Sequence, residues 1–292
     1  MTDSTALGDR MKLHEAAFRS VLPRRTFTIC RVDIRAAHSL LRDAERPYDA
    51  QFMADMDATA EALCKEISGA VLAYTQSDEI SVLYTDFGSA GTQPWFGGVT
   101  AKQVSIAAAT ATAELNARRP GKRALFDARV FTLADPVEVA NYFIWRQRDA
   151  VRNSISMAAQ ARFSHRELHQ VNTGRMQEML WSEHGINWND YPDGFKRGRT
   201  TVKCSGTKEV EWFDKREQRT VQTTAYRSWW ETAGAPHFTT EPGSWLGGVI
   251  PKMPALVGPY DLEVPPYPTT DAEYAALPVL DLADFHAQEG QR

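Results

Sequence analysis

The sequence contains few cysteines, and none of them is placed to staple a fold or to build a zinc site. Cys30, Cys64 and Cys204 are far apart in the 292 residues, and no Cys-x-x-Cys pair occurs. Disulfide-rich secreted domains and zinc modules both need denser spacing. We therefore expect a protein of a reducing compartment, with a cytoplasmic location.

Long apolar runs and an excess of positive charge are missing as well. No uninterrupted apolar stretch approaches the roughly 18 residues of a membrane-spanning helix, and residues 1–20 are too polar for a signal peptide. The net charge is −4, so a nucleic acid would have to be bound by local basic patches. These absences favour a soluble intracellular protein, whose 43% hydrophobic composition is sufficient for a core.

An acidic pair interrupts two predicted core strands. Residues 70–76 and 79–85 are rich in apolar β-formers, and a short polar break separates them, which predicts a hairpin. Asp78 and Glu79 are expected at its tip, where charged side chains cost stability unless they bind something. An earlier predicted strand also ends on an acid, Asp33.

The predicted elements around this hairpin have a definite order. One helix begins at Asp49, a favourable N-cap, and another begins at Asp135-Pro136, which combines an Asp cap with proline at the first helical position. An Ala-rich helix over 100–117 and a strand over 124–132 lie between them. With the first strand and the hairpin, the order is β-α-β-β-α-β, the split βαβ pattern. It predicts an α+β fold, an antiparallel sheet with helices on one face.

The split βαβ topology brings two of the acids together. Its first and third strands are antiparallel neighbours, so the end of the first lies beside the start of the third. Asp33 and Asp78 are therefore predicted to adjoin, and adjacent carboxylates repel each other unless a cation lies between them. Hard oxygen ligands of this kind suit Mg²⁺, which binds one or two carboxylates together with substrate phosphates.

The chain changes character after residue 162. We expect a catalytic domain over 1–162 and a helical and β-hairpin extension over 163–250. Two or three strands are predicted over 200–229, with turns at Ser205-Gly206 and at 214–218. Proline is frequent and periodicity is weak over 251–292, which predicts an extended tail.

Four motifs in this order resemble those of the tRNA(His) guanylyltransferases and their guanylyltransferase-like relatives. The motifs are Arg-Val-Asp-Ile-Arg-Ala-Ala-His at 31–38, Tyr-Thr-Gln-Ser-Asp-Glu at 74–79, Phe-Asp-Ala-Arg-Val at 126–130 and Trp-Arg-Gln-Arg-Asp at 145–149. The resemblance implies a polymerase palm-like fold, in agreement with the split βαβ order, plus a C-terminal α/β extension that interacts with RNA. It also implies Mg-dependent addition of nucleotides, typically guanylate, to the 5′ end of tRNA or tRNA-like RNA in the 3′–5′ direction.

The resemblance further implies roles for individual residues. Asp33, Asp78 and the backbone carbonyl of Ile34 would hold two Mg²⁺ ions, with Glu79 in the same catalytic cluster. ATP would activate the RNA 5′ end before an incoming nucleotide, usually GTP, attacks it. The implied nucleotide-binding residues are Ile34, Arg35, Ala36, Ala37, His38, Arg46, Ser77, Asp78 and Lys102. The implied RNA-binding residues are Arg129, Arg146, Arg152, Asn153, Lys196 and Arg197.

One departure from the family pattern bears on the substrate. The family segment His-Ile-Asn-Asn-x-Tyr-Asn is replaced over 151–157, where only Asn153 is kept of its polar positions. The guanylyltransferase-like relatives commonly have such a sequence, which favours template-dependent 5′-end repair over an enzyme dedicated to histidine tRNA. The resemblance also implies a homotetramer.

Several alternatives stay open at this point. The protein could be a dedicated tRNA(His) guanylyltransferase, another palm-type enzyme such as a nucleotide cyclase, or an inactive RNA-binding module. Asp127 and Arg129 share one face of their strand, and a simple ion pair between them is the alternative to a functional role.

Overall fold

The computed structural model of the protein describes residues 6–89, 91–239 and 245–253, so most of the predicted tail lies outside the described residues. The helices are α1 (Ala6–Ala16), α2 (Ala37–Leu40), α3 (Ala50–Glu66), α4 (Thr100–Arg118), α5 (Pro136–Gln160), α6 (Thr173–His184), α7 (Asp193–Arg197) and α8 (Trp245–Val249). The strands are β1 (Phe27–Ile34), β2 (Ala70–Gln76), β3 (Glu79–Thr85), β4 (Phe126–Leu133), β5 (Arg199–Asp214) and β6 (Arg219–Gly234).

The six strands form one antiparallel sheet with the order β4-β1-β3-β2-β5-β6. β1 lies between β3 and β4, and β2 pairs with β3 through the hairpin. The first four strands therefore have the predicted split βαβ arrangement. The α+β class and the bounds of the hairpin strands, 70–76 and 79–85, are confirmed.

The predicted helix starts are confirmed at the atomic level. Asp49 Oδ1 accepts a hydrogen bond from Phe52 N at 2.7 Å, which caps α3. Asp135 Oδ1 accepts from the backbone N–H groups of Val137 and Glu138 at 2.8 and 2.9 Å and so caps α5. These caps satisfy backbone donors that have no partner within the first turn of a helix.

The helices cover both faces of the sheet, in contrast to the predicted single face. α3 and α4 pack on one face, where Met56 and Leu115 are buried against Val32 and Ile80. α5 packs on the opposite face, against residues that alternate with these along the strands. The physical reason is that β1 and β3 bury side chains in both directions, so each face needs a cover.

The extension adds two strands to the sheet. Over four residues, 199–202, β5 pairs with β2, and beyond this point β5 and β6 continue as a two-stranded ribbon. The turn at 214–218 is confirmed, but the turn predicted at Ser205-Gly206 is wrong. These residues continue β5 and pair with Ser228 and Arg227, and a side chain on Gly206 would approach the ring of Trp229.

Two further findings concern the cysteines and the length of the helices. Cys30, Cys64 and Cys204 are all free thiols, and the first two are buried. Within the described residues, no helix is long and apolar enough to cross a membrane. The domain boundary at residue 162 stays a prediction.

Candidate functional site

Acidic residues from three strands meet at one end of the sheet. Asp33 on β1 lies directly opposite Glu79 on β3 and Asp127 on β4. Ile34 N donates to the carbonyl oxygen of Asp78 at 3.2 Å, which joins the end of β1 to the hairpin tip. The predicted juxtaposition of Asp33 with Asp78 is therefore confirmed.

This concentration of negative charge changes the protonation of Asp33. Partial burial is the main cause that raises its pKa to about 6, followed by Asp78, Glu79 and Asp127. Arg31 acts in the opposite direction and lowers it. The ionised form is thus disfavoured in the absence of a cation, and a cation bound here would restore it.

Two of the four acids have no ion pair. Glu79 pairs with Arg146, and Asp127 pairs with Arg129 at 3.5 Å. Among the ion pairs formed by the described residues, none includes Asp33 or Asp78. These two carboxylates are therefore the ones left to bind an added cation.

The donor set fits Mg²⁺ better than a transition metal. Two carboxylates and the nearby carbonyl of Ile34 are hard oxygen donors, the kind that Mg²⁺ prefers. Within the described residues, no group of three or more acidic, histidine or cysteine side chains is arranged to hold a metal by itself. A magnesium site that substrate phosphates complete needs only one or two protein carboxylates.

The segment after β1 provides exposed polar groups beside the acids. Ala36 has a left-handed backbone (φ 55°). Ile34 stands where the family that the motif resembles has glycine, but its φ is not positive, so its side chain causes no backbone strain. Arg35 N donates to the carbonyl of Leu125 at 2.9 Å, and the side chains of Arg35 and His38 are exposed. Ala37, partly buried, begins α2.

A pocket of about 650 Å³, counted to its open mouth, lies on the other side of the hairpin tip. It brings together Arg46, Ser77 and Asn153, which come from three separate parts of the chain. Its remaining wall is mainly apolar and aromatic: Leu41, Pro47, Tyr48, Phe52, Met53, Met157 and Phe195. Such a lining, with a few polar groups, is typical of a small-molecule binding site.

The sequence reasoning missed most of this pocket wall. Tyr48 and Phe195 are 4.9 Å apart between ring centroids, and Tyr191 packs edge-on against both rings. Tyr48 lies in a loop more than a hundred positions before Tyr191 and Phe195, so no local periodicity connects it with them. Asn153 was assigned to RNA binding, but the structure brings it to this pocket.

Lys102 does not belong to this site. It lies in the first turn of α4, next to Gln103, whose side chain accepts from Tyr84 Oη at 2.9 Å. Tyr84 is near the far end of β3, so five residues of strand, roughly 16 Å, separate it from Glu79. The C-terminal half of α4 is the part that approaches the site, because Asn116 bonds Ala124 just before β4.

The predicted RNA-binding residues do not form one surface. Arg146 is 6% exposed and bound to Glu79, and Lys196 is 7% exposed and donates to Asn189 O and Asp193. Both predictions are corrected, because a buried, paired cation cannot reach an RNA phosphate. Arg197 also pairs with Asp193, at 2.6 Å.

Two of the RNA-binding candidates remain on the surface. Arg129 is exposed and forms an ion pair with Asp127, which was the alternative to a functional role for these two residues. Arg152 is exposed on α5 and pairs with Asp149 at 2.5 Å.

The fold and the site together define a class of protein. A split βαβ sheet in which two aspartates without ion-pair partners lie at the end of the central strands, beside an apolar and aromatic pocket, is the arrangement of a palm-type nucleotidyltransferase.

Comparison with known proteins identifies the family. The family model described as tRNAHis guanylyltransferase matches residues 8–134. A structure of a bacterial tRNA(His) guanylyltransferase-like protein in complex with ATP is 37% identical, with a TM-score of 0.72 over 84% of this chain and 99% of that chain. The chain belongs to the tRNA(His) guanylyltransferase and guanylyltransferase-like family.

Two other relatives agree with this assignment. A structure of a bacterial guanylyltransferase-like protein in complex with GTP is 36% identical, with a TM-score of 0.66 over 80% of this chain and 94% of that chain. The tRNA(His) guanylyltransferase of Debaryomyces hansenii is 28% identical over 220 residues, which cover 68% of this chain and 81% of the relative. Members of this family are nucleotidyltransferases that process tRNA.

The raised pKa of Asp33 predicts that this residue destabilises the metal-free protein at neutral pH. The folded state holds the proton more tightly than the unfolded chain, so the stability is greatest below the unfolded pKa and falls as the pH rises to about 6. Asp33→Asn in EDTA should raise the melting temperature by about 2–4 °C at pH 7.5, on the order of 1 kcal/mol after screening, and by less at pH 5.

The matched control for this change is Asp43→Asn, because the Asp43 side chain is 81% exposed outside the acidic row. Its effect on the melting temperature should be small at both values of pH. A lower melting temperature for Asp33→Asn at pH 7.5 would contradict the prediction.

Proposed function

We propose that the protein is a Mg-dependent 3′–5′ nucleotidyltransferase that adds nucleotides, typically guanylate, to the 5′ end of tRNA or tRNA-like RNA. The observation that carries this proposal is that Asp33 and Asp78, two carboxylates without an ion-pair partner, lie together where the end of β1 meets the hairpin tip. A pocket lined by Ser77 lies beside them. Family membership supports the reaction class. The departure of residues 151–157 from the family segment favours template-dependent 5′-end repair.

The chain's own residues have distinct parts in this reaction. Asp33, Asp78 and the carbonyl of Ile34 would hold two Mg²⁺ ions, which stabilise the attacking and leaving oxygens of an in-line displacement when bound. Phosphoryl and nucleotidyl transfer depend mainly on positioning and charge neutralisation. No serine or cysteine nucleophile is therefore required, in keeping with the buried state of Cys30 and Cys64.

The pocket is the proposed site for the base of ATP or GTP. Its aromatic wall provides stacking area, while Asn153 and Ser77 provide hydrogen-bonding groups. Arg46 lies at this pocket, and Arg35 and His38 are exposed on the segment that leads from β1 to the pocket residue Leu41. These three cationic or polar side chains would meet the triphosphate. Solved relatives in complex with ATP and GTP support this class of ligand.

The RNA is proposed to approach the face of the sheet that carries α5. Arg129 and Arg152 are the exposed cations of the predicted RNA set on this face. The net charge of −4 means that such local contacts must supply the electrostatic attraction. The cytoplasm and a homotetramer are the proposed location and assembly.

A nucleotide-addition assay tests the proposed function. Wild-type protein with Mg²⁺, ATP, labelled GTP and 5′-truncated tRNAs should place label at the 5′ end according to the opposing template base. Asp78→Asn should lower this incorporation at least a hundredfold, because it removes one of the two unpaired carboxylates. Glu66→Gln, an exposed acid at the end of α3, is the matched control and should retain activity.

Other outcomes of the same assay would point elsewhere. Label only on histidine tRNA, independent of the template, would favour a dedicated tRNA(His) enzyme. A cyclic nucleotide product without RNA would favour a cyclase. Binding of tRNA with no product under any condition would favour an inactive RNA-binding module.

The position of Asn153 predicts a role in nucleotide affinity. Asn153→Ala should raise KM for the nucleotide about tenfold, the effect of losing one or two hydrogen bonds, and leave the melting temperature unchanged because the side chain is exposed. Arg148→Gln, exposed on the same helix, is the control. Weaker tRNA binding with an unchanged nucleotide KM would return Asn153 to the RNA-binding set.

Arg152 allows a separate test of the RNA surface. Replacing it with alanine should weaken tRNA binding at low salt and reduce the slope of log K against log salt by about 1, because one phosphate contact is lost. An unchanged slope in a filter-binding titration would remove Arg152 from the proposed RNA contacts.

A further inference from the structure

Two arginines hold the Glu79 carboxylate inside the protein. Glu79 is 7% exposed, and Arg146 binds it through two parallel hydrogen bonds, Nε to Oε1 at 2.8 Å and Nη2 to Oε2 at 3.0 Å. Arg31 Nη1 lies 3.6 Å from Oε2. Both carboxylate oxygens are therefore engaged, and a divalent cation bound to Glu79 would adjoin two guanidinium charges.

Arg146 is itself fixed from several sides. Its Nη2 also donates to Asp149 Oδ2 at 2.9 Å, and its guanidinium carbon lies 4.4 Å from the centroid of the Trp145 ring. Asp149 in turn binds the exposed Arg152. The series Glu79, Arg146, Asp149, Arg152 therefore alternates in sign from the buried carboxylate to the surface, and these ion pairs keep the Arg146 guanidinium in one place.

This ion pair joins α5 to the part of the sheet that carries the two unpaired acids. Glu79 is the first residue of β3, follows Asp78 directly and lies opposite Asp33. Ser77, the residue before Asp78, has a left-handed backbone with φ 47°, a conformation that a residue other than glycine keeps only where its surroundings hold it. Arg146 thus binds the residue that directly follows Asp78.

We propose that Arg146 is a positioning residue, which holds the hairpin tip through Glu79 in the conformation in which Asp78 and Asp33 bind a metal together. Glu79 acts through this ion pair and is not a metal ligand. The inference rests on the proposed function for the metal site at Asp33 and Asp78, whereas the ion pair and its position relative to these acids are features of the fold.

The test measures Mn²⁺ binding to the full chain in the absence of nucleotide and RNA. Glu79→Gln and Arg146→Gln should each weaken the affinity about tenfold. The double variant should bind no more weakly than either single variant, because the two residues act as one unit. Arg148→Gln, an exposed arginine on the same helix, is the matched control and should bind as the wild type does.

The melting temperature separates positioning from general stability. Arg146→Gln removes the bidentate partner of the buried Glu79 carboxylate and leaves Arg31, at 3.6 Å, as its one ion-pair partner, so it should lower the melting temperature. The double variant removes both charges of the lost ion pair and should regain part of the loss. The proposal expects the melting temperature to recover without recovery of the Mn²⁺ affinity. Recovery of both together would assign Arg146 a merely structural role and overturn the proposal.

A different result would identify Glu79 as a ligand. In that case Glu79→Gln would lose Mn²⁺ binding, while Arg146→Gln would retain or strengthen it by freeing the carboxylate, and the proposal would fall. The Asp33→Asn variant distinguishes failure of the Arg146 proposal from failure of the proposed function. Mn²⁺ binding that depends on Asp33, without transfer to any RNA, would reject the function but leave the test of Arg146 valid. Mn²⁺ binding that is absent or independent of Asp33 would reject both.

Discussion

The register between β1 and β3 is the constraint on which the site depends. It sets Asp33 opposite Glu79 and joins Ile34 N to the carbonyl of Asp78. A slip of one residue would turn Asp33 toward the apolar layer under α3 and α4 and would expose Val32 to the opposite face. Because both faces of β1 are packed, the core that stabilises the fold also fixes the positions of the acids.

The same face of the sheet carries a row of acids and a row of arginines. Glu79 and Asp127 are each neutralised by an arginine, and Arg31 lies beside Glu79. This pairing offsets part of the repulsion within the acidic row, although Glu79 and Asp127 still act on Asp33 together with Asp78. Partial burial, followed by this repulsion, raises the pKa of Asp33 and disfavours the metal-free folded state at neutral pH, so metal binding and stability are coupled at this point.

The sequence was sufficient to predict the arrangement of the first four strands and the acid pair, because strand periodicity, helix caps at Asp49 and Asp135 and the split βαβ order are local or topological signals. It did not predict that β5 and β6 join the same sheet. It was insufficient where tertiary packing decides. Nothing in the sequence around Arg146 indicates a buried partner 67 positions away, and Lys102 was misplaced because the direction of α4 relative to the site depends on packing. The aromatic pocket wall likewise has no local pattern.

One helix positions both halves of the site. Arg146 reaches the acidic row, and Asn153, seven residues later, reaches the pocket on nearly the same face of α5, because seven residues are about two helical turns. Ser154 also accepts from Trp188 and donates to the carbonyl of Lys196, which ties the extension to this helix. Changes over 151–157 can therefore alter the pocket wall and the contact with the extension while the residues that hold the acids stay in place.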